Sequence, residues 1–299
     1  MPDEKSKYSH VPVMPEEVLR LLDPQPGETA IDGTVGLGGH ARLVGEHIGR
    51  GGRLICFDRD PEALARAATN LEFLDCKINF INTPYEGMGE AVSSLGLERV
   101  DRIFMDLGVS SLQLDKPERG FSFMRDGPLD MRMNQSSGPT AADIVNSWPE
   151  ERLRDLFKTL GEERFSGRIA KRVVEARAGR PIETTGELSR IAEDAVPFRG
   201  KTHPATRIFQ ALRMEVNDEL GTLSRGLAAA GKLLRPGGRL AVLTFHSLED
   251  RLVKRTFLRW RELGAVALVN SKAIGCSREE SLVNRRARSA KLRVVERVR

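Results

Sequence analysis

The residues with the clearest chemical potential form a glycine-rich turn, DGTVGLGGH, at positions 32–40. An apolar strand pattern ends at Asp32 ahead of this turn, and a second apolar run, LICF, ends at Asp58. Glycines let the backbone turn sharply and bring its N–H groups against a ligand. A carboxylate at the end of the second strand can accept hydrogen bonds from both hydroxyls of a ribose. This order predicts a site for an adenosine-containing cofactor, with Gly36, Gly38 and Asp58 as contacts.

The spacing around the turn favours one of two cofactor classes. The G-x-G-x-x-G frame of dinucleotide enzymes, read from Gly36, continues with Gly38 and then with Ala41, a tolerated variant. An acid before the turn, here Asp32, is more typical of S-adenosylmethionine (SAM) methyltransferases than of NAD enzymes. An NAD-linked reductase is the alternative, although the chain has no Tyr-x-x-x-Lys pair for proton relay.

Composition limits the partners and the compartment. The 299 residues carry 47 Lys+Arg and 42 Asp+Glu, a net charge of +5, which is only a mild preference for polyanions. The three cysteines form no CxxC pair and the five histidines form no cluster spaced for a metal, so we expect a cytoplasmic protein without a metal centre. No apolar segment suggests secretion or a membrane span. The sequence leaves the oligomeric state open, and a homodimer is allowed.

The order of patterns predicts an α/β protein with an insertion. Strand and helix patterns alternate from Ala30 to Gly108, which calls for a doubly wound parallel sheet. The block 114–202 has helical patterns without a convincing strand. One long amphipathic run then follows from His203 to Leu227, and the last strands return as an antiparallel hairpin. We therefore predict a Rossmann-like domain from 1–113 and 203–299, with an all-helical domain inserted at 114–202.

Polar residues follow several of the predicted strands, at the edge where ligands of doubly wound sheets bind. These residues are Asp32, Asp58, Asp106 and His246, the last within a Thr-Phe-His corner. We predict Asp106 and His246 as catalytic: an exocyclic base amine is a poor nucleophile, and acceptors that hold its N–H bonds help to present its lone pair. Each acid read alone is equally well a helix N-cap, and His246 is equally well a structural residue.

Nine runs across the chain resemble the RsmH (MraW) family, and their length makes chance similarity implausible. The runs are HVPVM (10–14), DGTVGLGGH (32–40), FDRDP (57–61), DLGVSS (106–111), ERGFSFMRDGPLDMR (118–132), GEERF (161–165), HPATRIFQ (203–210), TFHSLEDR (244–251) and RARSAKLR (286–293). The resemblance implies a class I SAM methyltransferase that modifies cytosine N4 in small-subunit (16S) ribosomal RNA, at the decoding centre. The cofactor contacts that it implies are Gly38, Gly39, His40, Asp58, Tyr85, Asp106 and Gln113.

Two groups of side chains are candidates for contact with RNA. The run after the fourth strand mixes arginine with aromatic residues, which suits a splayed base and its phosphates, although a packed pair of phenylalanines with solvated arginines explains it equally well. The resemblance favours the substrate interpretation for Arg119, Phe121, Phe123, Arg125 and Arg132. A basic stripe at i, i+4 and i+8 is formed by Arg164, Arg168 and Arg172, and these side chains either bind phosphate or form a solvated face. A non-catalytic RNA-binding protein is a third hypothesis, but it would not need a cofactor crevice.

Overall fold

The structure is a computed structural model that describes residues 12–197 and 203–298. The first two residues of the run at 10–14 and the predicted end of the insertion at 202 lie outside the described residues. The chain divides into two compact units. The α/β unit contains the residues up to Gly108 and those from Leu220 onward, and the helical unit is Val109–Glu219.

The α/β unit is built on one sheet, which in the described residues has eight strands in the order β3-β2-β1-β4-β5-β8-β6, with β7 pairing to β8. The strands are β1 (Thr29–Asp32), β2 (Arg53–Phe57), β3 (Lys77–Ile81), β4 (Val100–Asp106), β5 (Leu234–Thr244), β6 (Val266–Leu268), β7 (Ile274–Gly275) and β8 (Lys291–Arg297). Strands β1 to β5 pair in parallel, whereas β8 is antiparallel to β5, β6 and β7. The predicted parallel sheet with an antiparallel ending is confirmed.

Helices surround this sheet and form the helical unit. They are α1 (Pro15–Leu22), α2 (Gly39–Ile48), α3 (Pro61–Leu71), α4 (Met88–Ser94), α5 (Ser111–Asp115), α6 (Ala141–Ser147), α7 (Glu150–Thr159), α8 (Ser166–Gly179), α9 (Thr185–Ala195), α10 (Pro204–Val216), α11 (Glu219–Leu233), α12 (Ser247–Glu262) and α13 (Arg278–Val283). In the described part of the chain, none of these helices is both long enough and apolar enough to cross a membrane.

The sheet is buried on both faces, as its apolar strands require. Successive residues of a strand point to opposite faces, so Ala30 and Leu54 belong to one core with Val44 of α2. Their neighbours in the chain, Ile31 and Ile55, belong to a second core on the other face. The two cores hold the strand ends in fixed register, which positions the side chains that follow them.

The helical unit has its own core, and this core corrects the predicted domain boundaries. Ile208 and Leu212 of α10 are fully buried among the apolar side chains of α6 to α9. The prediction assigned α10 to the methyltransferase domain because it ended the insertion at 202. The structure ends the helical unit at Glu219 and starts it at Val109 rather than at 114. The apolar face of α10 determines this difference, because it is buried against the inserted helices.

The long amphipathic run from His203 to Leu227 is two helices, not one. Helix α10 ends at Val216, and Asp218 takes a left-handed conformation with φ of 46° before α11 begins. Asn217 at the break donates to the Met131 carbonyl at 2.8 Å and accepts from the Met133 N–H at 2.8 Å. These two bonds lie within the helical unit and hold Asn217 at the end of α10.

Candidate active site

The glycine turn is hydrogen-bonded to the end of β2 and to α3. Gly36 has φ of 52° and donates its N–H to Asp58 Oδ2 at 2.9 Å. Gly38 has φ of 90°, a conformation that glycine adopts without strain, and precedes the first residue of α2. The carbonyl of Leu37 accepts from Asn70 Nδ2 of α3 at 3.0 Å. The turn is therefore held between the end of β2 and α3.

Asp58 lies where the sequence predicted it, directly after β2 and against the glycine turn. Its Oδ1 accepts from the N–H of Asp60 at 2.9 Å, and its Oδ2 accepts from the N–H of Gly36. Burial raises the pKa of this carboxyl to about 6. Each carboxylate oxygen can accept more than one hydrogen bond, so both oxygens keep capacity for a ribose hydroxyl.

The ends of β1 and β4 are joined by a short hydrogen-bonded turn. Asp32 is buried and its Oδ1 accepts from the N–H of Thr34 at 3.0 Å. The hydroxyl of Thr34 in turn accepts from the N–H of Asp106 at 2.6 Å. Burial raises the pKa of Asp32 to about 7. A cationic ligand beside these acids would compensate for their desolvation.

His40 and Asp106 face each other inside the α/β unit. His40 Nε2 lies 2.8 Å from the carbonyl of Val13, and its Nδ1 lies 3.4 Å from Asp106 Oδ2. Burial lowers the pKa of His40, but Asp106, the Val13 carbonyl and Asp32 together outweigh burial, and the pKa is raised overall. Asp106 Oδ1 is buried and has no hydrogen-bond partner among the described residues. This oxygen is an acceptor available to a ligand.

His246, the other predicted catalytic residue, caps a helix. Its Nδ1 accepts from the N–H of Glu249 at 3.4 Å, and its Nε2 lies 3.0 Å from Glu249 Oε1. The second carboxylate oxygen of Glu249 accepts from the backbone N–H groups of Phe245 and His246. This reciprocal cap fixes the start of α12 and gives His246 a structural role that the sequence alone left open.

Two of the predicted cofactor contacts also have structural roles. The Tyr85 side chain is only 9% exposed, and it packs in the core where a Cβ at Gly226 would overlap its ring. Gln113 lies in the helical unit, and its side-chain oxygen accepts from the N–H of Ser110 at 3.1 Å at the start of α5. Their contact with a cofactor stays a prediction.

The predicted RNA contacts of the helical unit divide by burial. Arg119 is 3% exposed and donates through Nη2 to the carbonyls of Arg132 and Met133 at 3.2 and 2.8 Å. Phe121 is 6% exposed and belongs to the core of this unit. Both side chains are held in the fold of this unit, and their contact with RNA stays a prediction. A sequence does not distinguish a buried arginine from a solvated one.

The remaining candidates differ in how they are held. Arg132 is fixed by Asp130, with Nε and Nη2 at 2.9 and 2.8 Å from its carboxylate oxygens, and Phe123 stacks on His203. The exposed candidates are Arg125, Arg168 and Arg172, the last paired with Glu175 at 3.2 Å. The basic stripe is shorter than predicted, because α8 begins at Ser166, after Arg164.

Several residues of the site were missed as candidates. Thr34 joins β1 to β4, Asn70 holds the turn, and Glu249 caps α12 with His246. Thr34 lies inside the glycine turn, and a small hydroxyl residue there is a usable signal. Glu249 stands at the third position after the cap, which fits the capping-box spacing. Asn70 has no local signal, because its role depends on the packing of α3 beside the turn.

A parallel sheet with an antiparallel final strand, and a glycine turn flanked by acids at the ends of β1, β2 and β4, defines the class I SAM-dependent methyltransferases. The chain belongs to the MraW methylase family, whose profile matches residues 7–298. The cofactor of this enzyme is S-adenosylmethionine. The residues present fit this cofactor. The buried acids suit its cationic amino-acid portion and its ribose, and Asp106 Oδ1 is an acceptor without a partner among the described residues.

Curated relatives match over nearly the whole chain. The ribosomal RNA small subunit methyltransferase H of Syntrophotalea carbinolica is 45% identical, covering 97% of this chain and 98% of its own. The protein of the same name from Maricaulis maris is 49% identical, covering 95% of this chain and 90% of its own. A solved rRNA methylase structure from Streptococcus thermophilus is more distant, with 11% identity, a TM-score of 0.44 and coverage of 93% and 92%.

Proposed function

We propose that this enzyme transfers a methyl group from S-adenosylmethionine to the N4 amine of a cytosine in small-subunit ribosomal RNA, at the decoding centre. Membership of the MraW methylase family and the names of the relatives support the RNA substrate. The observation that carries the choice of an amine is Asp106, whose buried Oδ1 has no hydrogen-bond partner in the described part of the chain.

The residues that would hold the cofactor come from the acid-terminated strands and the turn. Asp58 would accept from the ribose hydroxyls, and the glycine turn with Gly36, Gly38 and Gly39 would lie against the amino-acid portion. Asp32 and Asp106 would supply negative charge for its ammonium group. When bound, S-adenosylmethionine supplies an electrophilic methyl group on a sulfonium.

Asp106 would hold the amine for transfer. The lone pair of the cytosine amine is delocalised into the ring, and an acceptor on one of its N–H bonds helps to present that lone pair in line with the reacting carbon. The amine nitrogen forms a bond to the methyl carbon as the carbon–sulfur bond breaks with its electron pair on sulfur, and the methylated amine then loses one proton to solvent water. His40 would keep the Asp106 carboxylate in place, through Nδ1 at 3.4 Å from Oδ2.

The helical unit would select the RNA. Its exposed cations Arg125, Arg168 and Arg172 suit phosphate contacts, which supply affinity that depends on salt. Phe123 is partly buried and stacks on His203, and it would be the aromatic contact for a splayed base. The proposal therefore assigns the chemistry to the α/β unit and substrate choice to the helical unit.

The test is the identity of the methylated nucleoside. Small subunits from a strain that lacks this activity are incubated with the enzyme and methyl-labelled SAM, and the RNA is digested to nucleosides for mass spectrometry. We expect the label in N4-methylcytidine, and nuclease mapping should place it at the decoding centre. Label in 5-methylcytidine or in another base would contradict the amine assignment. Label in N4-methylcytidine elsewhere in the RNA would contradict the position only.

A further inference from the structure

A glutamate far along the chain reaches the start of α1. Glu280 Oε1 accepts from the N–H of Met14 at 2.7 Å, across 266 positions of sequence. Glu280 lies in the six-residue helix α13, whose N-cap Ser277 accepts from the Glu280 N–H at 3.0 Å. The segment that contains α13 carries no sequence motif that predicts a function. This contact gives it a connection to the N-terminal part of the α/β unit.

The peptide group that Glu280 contacts is also the one that binds His40. The N–H of Met14 and the carbonyl of Val13 belong to a single peptide unit, and this carbonyl lies 2.8 Å from His40 Nε2. A carbonyl and a carboxylate only accept, so Nε2–H donates to the Val13 carbonyl and, in the protonated ring, Nδ1–H faces Asp106 Oδ2 at 3.4 Å. A carboxylate on the N–H side of a peptide polarises it and makes its carbonyl a stronger acceptor.

The backbone at this point is held in an uncommon conformation. Met14 is fully buried and has φ of 54°, in the left-handed region that a side chain with a Cβ rarely adopts. Such a conformation persists only where surrounding contacts determine it. Here the Glu280 bond and the His40 bond hold the two sides of the same peptide. Pro12 lies beside Gly39, so this segment also covers the glycine turn.

We propose that Glu280 is a positioning residue for the cofactor site, because it orients the Val13–Met14 peptide, whose carbonyl accepts from His40 Nε2–H and so turns Nδ1 of the ring toward Asp106. The inference rests on the proposed placement of the cofactor beside Asp106. The charged and titratable groups that act on His40 are Asp106, Asp32 and, through the peptide, Glu280. The ring of Phe104 packs at 4.5 Å from the imidazole, with the rings tilted by 50°.

The test compares Glu280→Ala with Glu280→Gln, which keeps an oxygen for the Met14 N–H. The control is Glu279→Gln, a neighbouring exposed glutamate with the same change of charge. The first readout needs no cofactor: long-range ¹H–¹⁵N spectra of the imidazoles over pH, with His40 assigned by its loss in His40→Asn. We expect Glu280→Ala to shift the His40 nitrogen signals and to lower its midpoint. The His40 signals and midpoint of Glu280→Gln should stay close to those of the wild type, and those of Glu279→Gln should equal the wild-type values.

The second readout is the dissociation constant of SAM by calorimetry. We expect it to rise three- to tenfold in Glu280→Ala and to stay within twofold of wild type in Glu280→Gln. Unchanged His40 signals in Glu280→Ala, with native circular dichroism, would overturn the proposal. Shifted signals with unchanged SAM affinity would overturn the link to the cofactor. Asp106→Ala tests the site itself: if it leaves SAM affinity intact, the cofactor placement is wrong, whatever Glu280 does to His40.

Discussion

In the α/β unit the side chains that the sequence marks for chemistry gather around the glycine turn, whereas in the helical unit part of the marked set is buried in the fold. Asp58 and Asp106 each keep an oxygen able to accept from a ligand, but Arg119 donates to carbonyls of its own unit and Phe121 is core. Parallel strands end at one edge of a sheet whatever the surrounding sequence. No comparable rule says which arginine of a helical block reaches the surface.

The largest effect expected is on the chemistry that the α/β unit performs. Asp106→Asn keeps the size and one acceptor oxygen but removes the charge. We expect single-turnover methyl transfer, at saturating SAM and small-subunit substrate, to fall about a hundredfold or more, since positioned groups of this kind contribute roughly 10²–10⁴. Rapid-quench kinetics measures the rate, and SAM affinity should fall only modestly.

Asp75→Asn is the matched control, because Asp75 is an exposed carboxylate outside the site. A near wild-type rate for Asp106→Asn at saturating SAM would mean that Asp106 serves only the ammonium group. His246→Asn tests whether His246 is catalytic, since asparagine removes the imidazole but keeps an N-cap acceptor for α12. Retained transfer there would mean that His246 has only its structural role at the start of α12.

The next largest effect is expected on stability, where a buried and an exposed arginine of the helical unit should differ. Arg119→Ala leaves the carbonyls of Arg132 and Met133 without their buried donor, and hydrogen bonds to a charged group contribute about 1.5–3 kcal/mol each. We expect the free energy of unfolding, measured in urea, to fall by about 2–4 kcal/mol. Arg125→Ala, at an exposed position, should change it by less than about 0.5 kcal/mol. Equal stability of the two variants would contradict a structural role for Arg119 and favour its predicted contact with RNA.

A smaller effect concerns cofactor affinity. Asp58→Ala removes the acceptor for the ribose hydroxyls and the bond to the Gly36 N–H. We expect the SAM dissociation constant to rise at least tenfold, which corresponds to about 1.4 kcal/mol. Asp60→Ala is the control: it loses the cap of α3 and about 1 kcal/mol of stability, with little change in SAM affinity. A folded Asp58→Ala protein with wild-type affinity would refute the assignment.

The same residue gives a pH dependence whose sign is fixed. Burial raises the pKa of Asp58 to about 6, so the apo protein holds a proton there below that pH. A protonated carboxyl is a poorer acceptor, and SAM affinity should fall as the pH drops from 8 to 5. Calorimetry in buffers of different ionisation enthalpy should show proton release on binding near pH 6. The variant Asp58→Ala should lose part of this dependence.

The smallest effect is expected on RNA affinity. Arg168→Glu combined with Arg172→Glu should weaken binding of small-subunit RNA a few-fold and reduce the slope of log K against log salt by about 1–2. SAM affinity should stay near wild type. Arg20→Glu with Arg50→Glu makes the same change of net charge on exposed sites of the α/β unit. If both pairs weaken RNA binding equally, Arg168 and Arg172 belong to a solvated face.

Most of the α/β unit was predictable, because strand alternation and the residues after each strand are local patterns. The division of the His203–Leu227 run was not, since its apolar spacing continues through Asn217. The break depends on carbonyl and N–H groups near Met131 and Met133, far away in sequence. Helix α13 and strand β7 have six and two residues, too few for a periodic signal. The role of Glu280 was not predictable either, because its partner Met14 lies 266 positions away in the sequence.

Strand β8 lies between β5 and β6, although it follows all the other strands along the chain. During synthesis the N-terminal strands leave the ribosome first, and β5 must wait with one open edge until Lys291–Arg297 has emerged. An open apolar edge is a template for pairing with another chain. Translation stalled just before this segment should therefore give nascent chains that depend on chaperones, even though the glycine turn and its acids were made long before.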